Sequence, residues 1–288
     1  MLDLERYKHT FPSDDNSVLH NNDTDRRVLI FGSAPLSLNL ADADLSGLKT
    51  VAINNAWRIR PDIRYAIYAA DFPETHRPPR SWFATQVSGG EYNPAMATAG
   101  GELLGGATMA FVAGYWACEN LQPTVVGYYG CDMVYNGSGK THFYGTGRPD
   151  PLREHISLRS LEAKSARLFC WGLKRGAVIV NCSPSPVTRL VFPRVPLARL
   201  TSLSPSVDRW RGLLARAEEL FELERQPPFR QFRRDTLDRP ETDACREIID
   251  ELDQRWLGLI PLIDEIAADA SLMTTTEYRL AAPEPSPP

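Results

Sequence analysis

The sequence predicts an α/β protein: a mostly parallel sheet with helices on both faces, followed by a C-terminal helical hairpin. Three observations lead there. Apolar runs of strand length alternate with segments of helical period between residues 27 and 181. Each run stops abruptly at Gly, Asn or Asp, so polar residues collect at strand carboxyl ends. Beyond residue 205 the period is helical alone. The composition can fill such a core, because the 288-residue chain is 43% hydrophobic and 24% charged, which rules out disorder as its main state.

Residues 1–25 are polar, with Ser13-Asp-Asp-Asn16 and Asn21-Asn-Asp-Thr-Asp25 clusters and no period, and are expected to form a loose arm. Residues 26–200 carry the sheet. Val28–Phe31 is an apolar run stopped by Gly32, and Pro35 with Leu36–Leu40 follows as a short helix. A second strand, Thr50–Ile53, ends in Asn54-Asn55, and a third, Ile63–Ala70, ends in Asp71. After a glycine-rich stretch from Gly89 to Gly106, Thr108–Cys118 is apolar and small, as a buried helix should be. Thr124–Tyr129 is the next strand and delivers Gly130-Cys131-Asp132. Residues 133–156 have no period and form a long loop, a length that in a compact domain usually serves function. Leu158–Trp171 has helical spacing and leads into the strand Ala177–Val180. This alternation predicts a Rossmann-like, nucleotide-binding sheet whose ligand lies beyond the strand carboxyl ends.

Residues 201–275 show two helical stripes, one through Val207, Trp210, Leu214 and Phe221, the other through Cys245, Ile249, Leu252 and Trp256, with Pro261 expected to kink the second helix. They are expected to pack inward, or against a second copy in a homo-oligomer. Residues 276–288, rich in Pro, cannot build a core and are expected to be a disordered tail.

Charge and cysteine content exclude several classes. Lys plus Arg is 32 against 36 for Asp plus Glu, a net charge of −4, which gives no general electrostatic hold on nucleic acid or an anionic membrane. No apolar run is long enough to span a membrane, and no apolar signal region follows Met1, so the expected location is cytoplasmic. Five widely spaced cysteines with no Cys-x-x-Cys pair fit neither a disulfide framework nor a zinc site, and are expected to be buried thiols.

The candidate ligand groups sit at the strand ends. Gly32-Ser33-Ala34-Pro35 leaves a strand and opens a helix, a turn suited to phosphate or ribose, although it is neither G-x-G-x-x-G nor a P-loop. Asn54 and Asn55 pair donors with acceptors and could read a ribose or base, and Asp71 could accept from a sugar hydroxyl. Such residues also simply end strands and cap helices. Gly105-Gly-Ala107-Thr108 offers backbone N–H groups to an anion, with Thr108 also a natural cap. The segment from Asp132 to Tyr144 holds Tyr135, His142 and Tyr144, and His155 follows it, supplying candidates for a general base and for stabilising a leaving phosphate.

In order, these pieces resemble the bacterial sialyltransferase family that includes the Campylobacter lipooligosaccharide enzymes, with the related prophage and motility-associated DUF115 proteins and archaeal hydroxymethylpterin pyrophosphokinases. The matching parts are Val28–Leu38, Val51–Asn55, Asp62–Asp71, Gly106–Thr108, Val125–Tyr135 and His155 through Pro184. The resemblance covers about residues 27–193. It implies that Gly32, Ser33, Asn54, Asn55 and Asp71 hold the nucleotide and donor sugar, with Ala107 and Thr108 near the donor carboxylate and Asp132 on the same site. It further implies that Tyr135 and Tyr144 stabilise the departing phosphate and that His155 is the base, while His142 is similar to a residue of the pyrophosphokinase branch. The family's Gly-Asn-Gly-Pro is Gly-Ser-Ala-Pro here, and its donor-facing Asn is Asp71.

The expected activity is therefore metal-independent transfer from a nucleotide-sugar donor, CMP-linked, to a hydroxyl acceptor, with no cofactor and no metal. Two other readings stand beside it. One is Mg²⁺-dependent pyrophosphoryl transfer from ATP, with Asp71 and Asp132 on the metal and Lys140 or Arg148 on phosphate. The other is a non-catalytic nucleotide-binding assembly protein whose terminal helices mediate association.

Overall fold

The structure, a computed structural model, describes residues 26–79, 82, 84–135, 139–146, 154–233 and 242–268. The expected polar arm, the tail and Arg148 lie outside the described residues. Six parallel strands form one sheet: β1 (Arg27–Phe31), β2 (Lys49–Ile53), β3 (Tyr65–Ile67), β4 (Thr85–Val87), β5 (Val125–Tyr129) and β6 (Val178–Asn181), in the order β4-β3-β2-β1-β5-β6. Every residue of β1 and β5 is buried, as a parallel strand covered on both faces requires. The fold is α/β and Rossmann-like.

One face carries the long helices α1 (Gly89–Ala99), α3 (Met109–Asn120) and α4 (Leu161–Lys174), with the single turn α2 (Glu102–Gly105) between the first two. The other face is covered by short 3-10 turns, a thinner layer than the sequence predicts. Alternation along β5 displays both faces: Tyr128 donates its hydroxyl to the Ala110 carbonyl of α3 at 2.9 Å, while the neighbouring Gly127 meets Leu200 of the 3-10 turn Leu197–Ser202.

Two elements differ from expectation. The third strand pairs over three residues rather than eight, because side chains take the adjoining backbone donors: Arg64 N–H goes to Thr50 Oγ1 at 2.9 Å and Ala69 N–H to Asn54 Oδ1 at 3.4 Å. The glycine-rich stretch conceals α1, which opens with the Glu91 carboxylate accepting the Ser88 N–H at 2.8 Å.

Among its described residues the C-terminal region holds three α-helices, α5 (Arg211–Leu223), α6 (Asp243–Leu257) and α7 (Ile260–Ala268), rather than a two-helix hairpin. Pro261 starts a helix instead of kinking one, since its missing N–H costs nothing in a first turn. Trp210, Phe221, Ile249, Leu252 and Trp256 are buried, as their spacing predicts, while Val207, Leu214 and Cys245 of the same stripes are half-buried. The layer packs on α4 through two buried ion pairs, Lys164 Nζ to Asp253 Oδ1 and Arg167 Nε to Glu224 Oε1, each 2.7 Å. Arg167 also donates to Tyr115 Oη, and Trp256 Nε1 donates to Glu224.

Candidate functional site

The strand order reverses between β1 and β5, since β2 to β4 extend the sheet to one side and β5 and β6 to the other. A crevice beyond the strand carboxyl ends forms at such a switch point. Gly32 leaves β1 there and Gly130 leaves β5. The two strands stay paired to their tips, with Gly32 N–H donating to the Tyr129 carbonyl at 2.9 Å. A Cβ on Gly32 would lie 2.5 Å from the Gly130 carbonyl oxygen, so no larger residue fits. Gly130 has φ +64°, and a Cβ there would fall 1.9 Å from Ser37 Oγ of the 3-10 turn Pro35–Leu40.

The loop after Asp132 folds back over this turn. Phe143 N–H donates to the Ser33 carbonyl at 2.9 Å, and His142 and Gly145 exchange backbone bonds of 3.0 and 3.1 Å. A small aromatic group results. The His142 ring stacks on Tyr144 at 5.0 Å and 19°, and Tyr135 stands 6.4 Å from His142. Tyr144 is 44% exposed, leaving this group open to a ligand. His142 Nδ1 lies 2.8 Å from Thr141 Oγ1, and partial burial holds its pKa below the usual histidine value.

His155 lies away from this aromatic group, among the helices. It caps the 3-10 turn Ile156–Leu158, which packs on α2 and on α6. Its Nδ1 accepts the Ser157 N–H at 3.2 Å and faces Ser157 Oγ at 2.7 Å. A backbone N–H can only donate, so the neutral ring carries its proton on Nε2. Thr108 caps α3, its Oγ1 3.5 Å from the Ala110 N–H.

On the other side of β1, Asn54 adopts φ +49° and ties the ends of β2 and β3 together. Asn55 is buried, and its Oδ1 has no hydrogen-bond partner. Asp71 is exposed beyond β3. Three strand spacings of about 4.8 Å, ~14 Å in all, separate the ends of β3 and β5, beyond which Asp71 and Asp132 lie. Among the described residues no group of three or more His, Cys, Asp or Glu side chains could hold a metal ion.

The structure thus brings Gly32, Ser33, Tyr135, His142, Tyr144 and Asp132 to the β1–β5 junction, sets Asn54 and Asn55 beside it, puts His155 on the turn against α2 and α6 and Thr108 at the start of α3 after Ala107, and leaves Asp71 outermost. Sequence reasoning missed Ser37, Asn181 and Ser183. The last two end β6 as Asn-x-Ser, the same kind of signal that singles out Asn54 and Asp132 after their strands. No family model, curated protein or solved structure matches this chain.

Proposed function

We propose that the protein transfers a sugar from a nucleotide-activated donor, CMP-linked by the resemblance of its motifs, to a hydroxyl acceptor. The observation that supports this best is the Tyr135, His142 and Tyr144 group laid over the Ser33 turn at the switch point, where a nucleotide would meet a Rossmann-like sheet. As the acceptor oxygen bonds to the sugar's anomeric carbon, the bond from that carbon to the phosphate oxygen breaks, and its electron pair leaves with the phosphate. Tyrosine hydroxyls donating to that phosphate stabilise the growing charge without a metal.

The acceptor proton needs a base, and a histidine nitrogen with a free lone pair is one. His142 supplies one on Nε2 when its Nδ1–H donates to Thr141 Oγ1, and its lowered pKa keeps the ring neutral near pH 7. His155, the base implied by resemblance, has its lone pair occupied by Ser157, so this geometry favours His142 as the base. Pyrophosphoryl transfer has less to support it: Asp71 and Asp132 follow strands three spacings apart, and the described residues hold no group of three or more His, Cys, Asp or Glu side chains that could bind a metal ion.

A thermal-shift screen of CMP, CDP, UDP, ATP and GTP, each with and without Mg²⁺, tests the proposal, since a ligand of the native state raises stability by mass action. CMP should raise the melting temperature without metal. A response to ATP that requires Mg²⁺ would favour pyrophosphoryl transfer, and no response to any nucleotide would overturn the reading.

A further inference from the structure

The end of β6 grips the end of β5 through side chains. Gly130 N–H donates to Ser183 Oγ at 2.7 Å, and Ser183 N–H donates to Asn181 Oδ1 at 2.9 Å. Asn181 Nδ2 then donates to Asp132 Oδ1 at 3.3 Å and to Thr188 Oγ1 at 3.2 Å. The Asp132 carbonyl accepts the Arg189 N–H at 2.9 Å. Asn181 is 1% exposed and Asp132 7%, yet Asp132 Oδ2 has no hydrogen-bond partner.

A buried carboxylate oxygen left unpaired costs free energy, and native proteins rarely tolerate one without a reason. Here it does not stand alone. Asn55 Oδ1, 5% exposed at residue level, is also unpartnered and follows β2 on the far side of β1. The ends of β2 and β5 are two strand spacings apart, about 9.6 Å, on either side of β1 and its Gly32 turn. Both unpartnered atoms are acceptors, so a ligand group that meets either of them must bring O–H or N–H donors. A phosphate brings negative charge and no proton at neutral pH, and Asp132 would repel it.

We infer that Asn181 is a positioning residue: it pins one oxygen of Asp132 and leaves the other set to accept a ribose hydroxyl, so that the ribose and not the phosphate of a bound nucleotide lies against Asp132. This rests on the nucleotide reading above. The phosphate then falls toward the Tyr135, His142 and Tyr144 side of the junction.

Calorimetric titration of the full chain with CMP and with 2′,3′-dideoxy-CMP tests it. The wild type should bind CMP at least about ten-fold tighter than the dideoxy analogue, the worth of a hydrogen bond to a charged group. Asn181→Ala should bring that ratio close to one while affinity for the analogue stays within about two-fold, a pattern that general loosening of the fold does not produce. Asp132→Asn, which keeps the shape and removes the charge, should lower the same ratio and serves if the Asn181 variant does not fold. Equal binding of the two ligands by the wild type, or a parallel loss of both affinities in the variants, overturns the inference and leaves the nucleotide reading intact. Failure of the wild type to bind either ligand overturns both.

Discussion

His142 and His155 differ by what one hydrogen atom does at Nδ1. Ser157 N–H occupies that position in His155, whereas the Thr141 hydroxyl facing His142 can donate or accept. His142→Ala should therefore lower kcat by about 10²–10⁴-fold, the usual worth of a positioned base. His155→Ala should cost less turnover and lose about 1 kcal/mol of stability with its cap. The reverse result in steady-state kinetics would return the base to His155. Burial penalises the charged imidazolium of His142, so its neutral form persists below the ordinary value of about 6.5. The acidic limb of the kcat/KM profile should accordingly fall below pH 6.5. The unfolded chain binds that proton more readily than the folded one, so His142 also subtracts stability as the pH drops below about 6.5.

At the scale of elements, α4 is the hinge of the architecture. Its outer face presents Lys164 and Arg167 to the C-terminal helices, and both side chains are 1% exposed. Lys164 packs at the same time against the Gly106 turn that leads to Thr108, where a Cβ on Gly106 would meet its side chain at 3.2 Å. Removing one partner strands a buried charge. Lys164→Met alone, or Asp253→Leu alone, should cost about 3–5 kcal/mol in denaturant unfolding, while the double replacement should recover most of the loss. Additive losses in the double variant would mean that the charges act separately. Burial pushes the Asp253 carboxyl up in spite of Lys164, the mark of an ion pair retained at a desolvation cost.

For the whole molecule, the C-terminal helices complete the fold. Phe169 and Trp171 of α4 pack edge-to-face with Trp210 and Phe221, and Arg167 lies over the rings of Phe221 and Trp256. Truncation after residue 205 would expose these rings together with Lys164 and Arg167. It should abolish cooperative unfolding of the sheet or render the fragment insoluble. A truncated chain that keeps the melting temperature of the full protein would show that the layer is an independent appendage.

Much of this was legible in the sequence. Val28–Phe31, Thr124–Tyr129 and Ala177–Val180 read as strands because a strand covered on both faces needs an unbroken apolar run, α3 read as a helix because its segment is apolar and small, and α4 because its apolar residues recur at helical spacing. The Gly, Asn and Asp residues just after the strand runs, Thr50–Ile53 among them, pointed to Gly32, Asn54 and Asp132, since in parallel strands such residues all emerge on one edge. β4 and α1 escaped because Thr85-Gln-Val87 is too short to show a pattern and glycines masked a helix whose start lay in Ser88 and Glu91. The order β4-β3-β2-β1-β5-β6 was decided by tertiary packing, and with it the meeting of Gly32 with Gly130, the separation of Asp71 from Asp132 and the hold of Asn181 on Asp132. Periodicity is a property of neighbours along the chain and survives in the letters. Which strands lie side by side, and which buried polar atoms find partners, depends on contacts between residues tens of positions apart, and those exist only once the chain has folded.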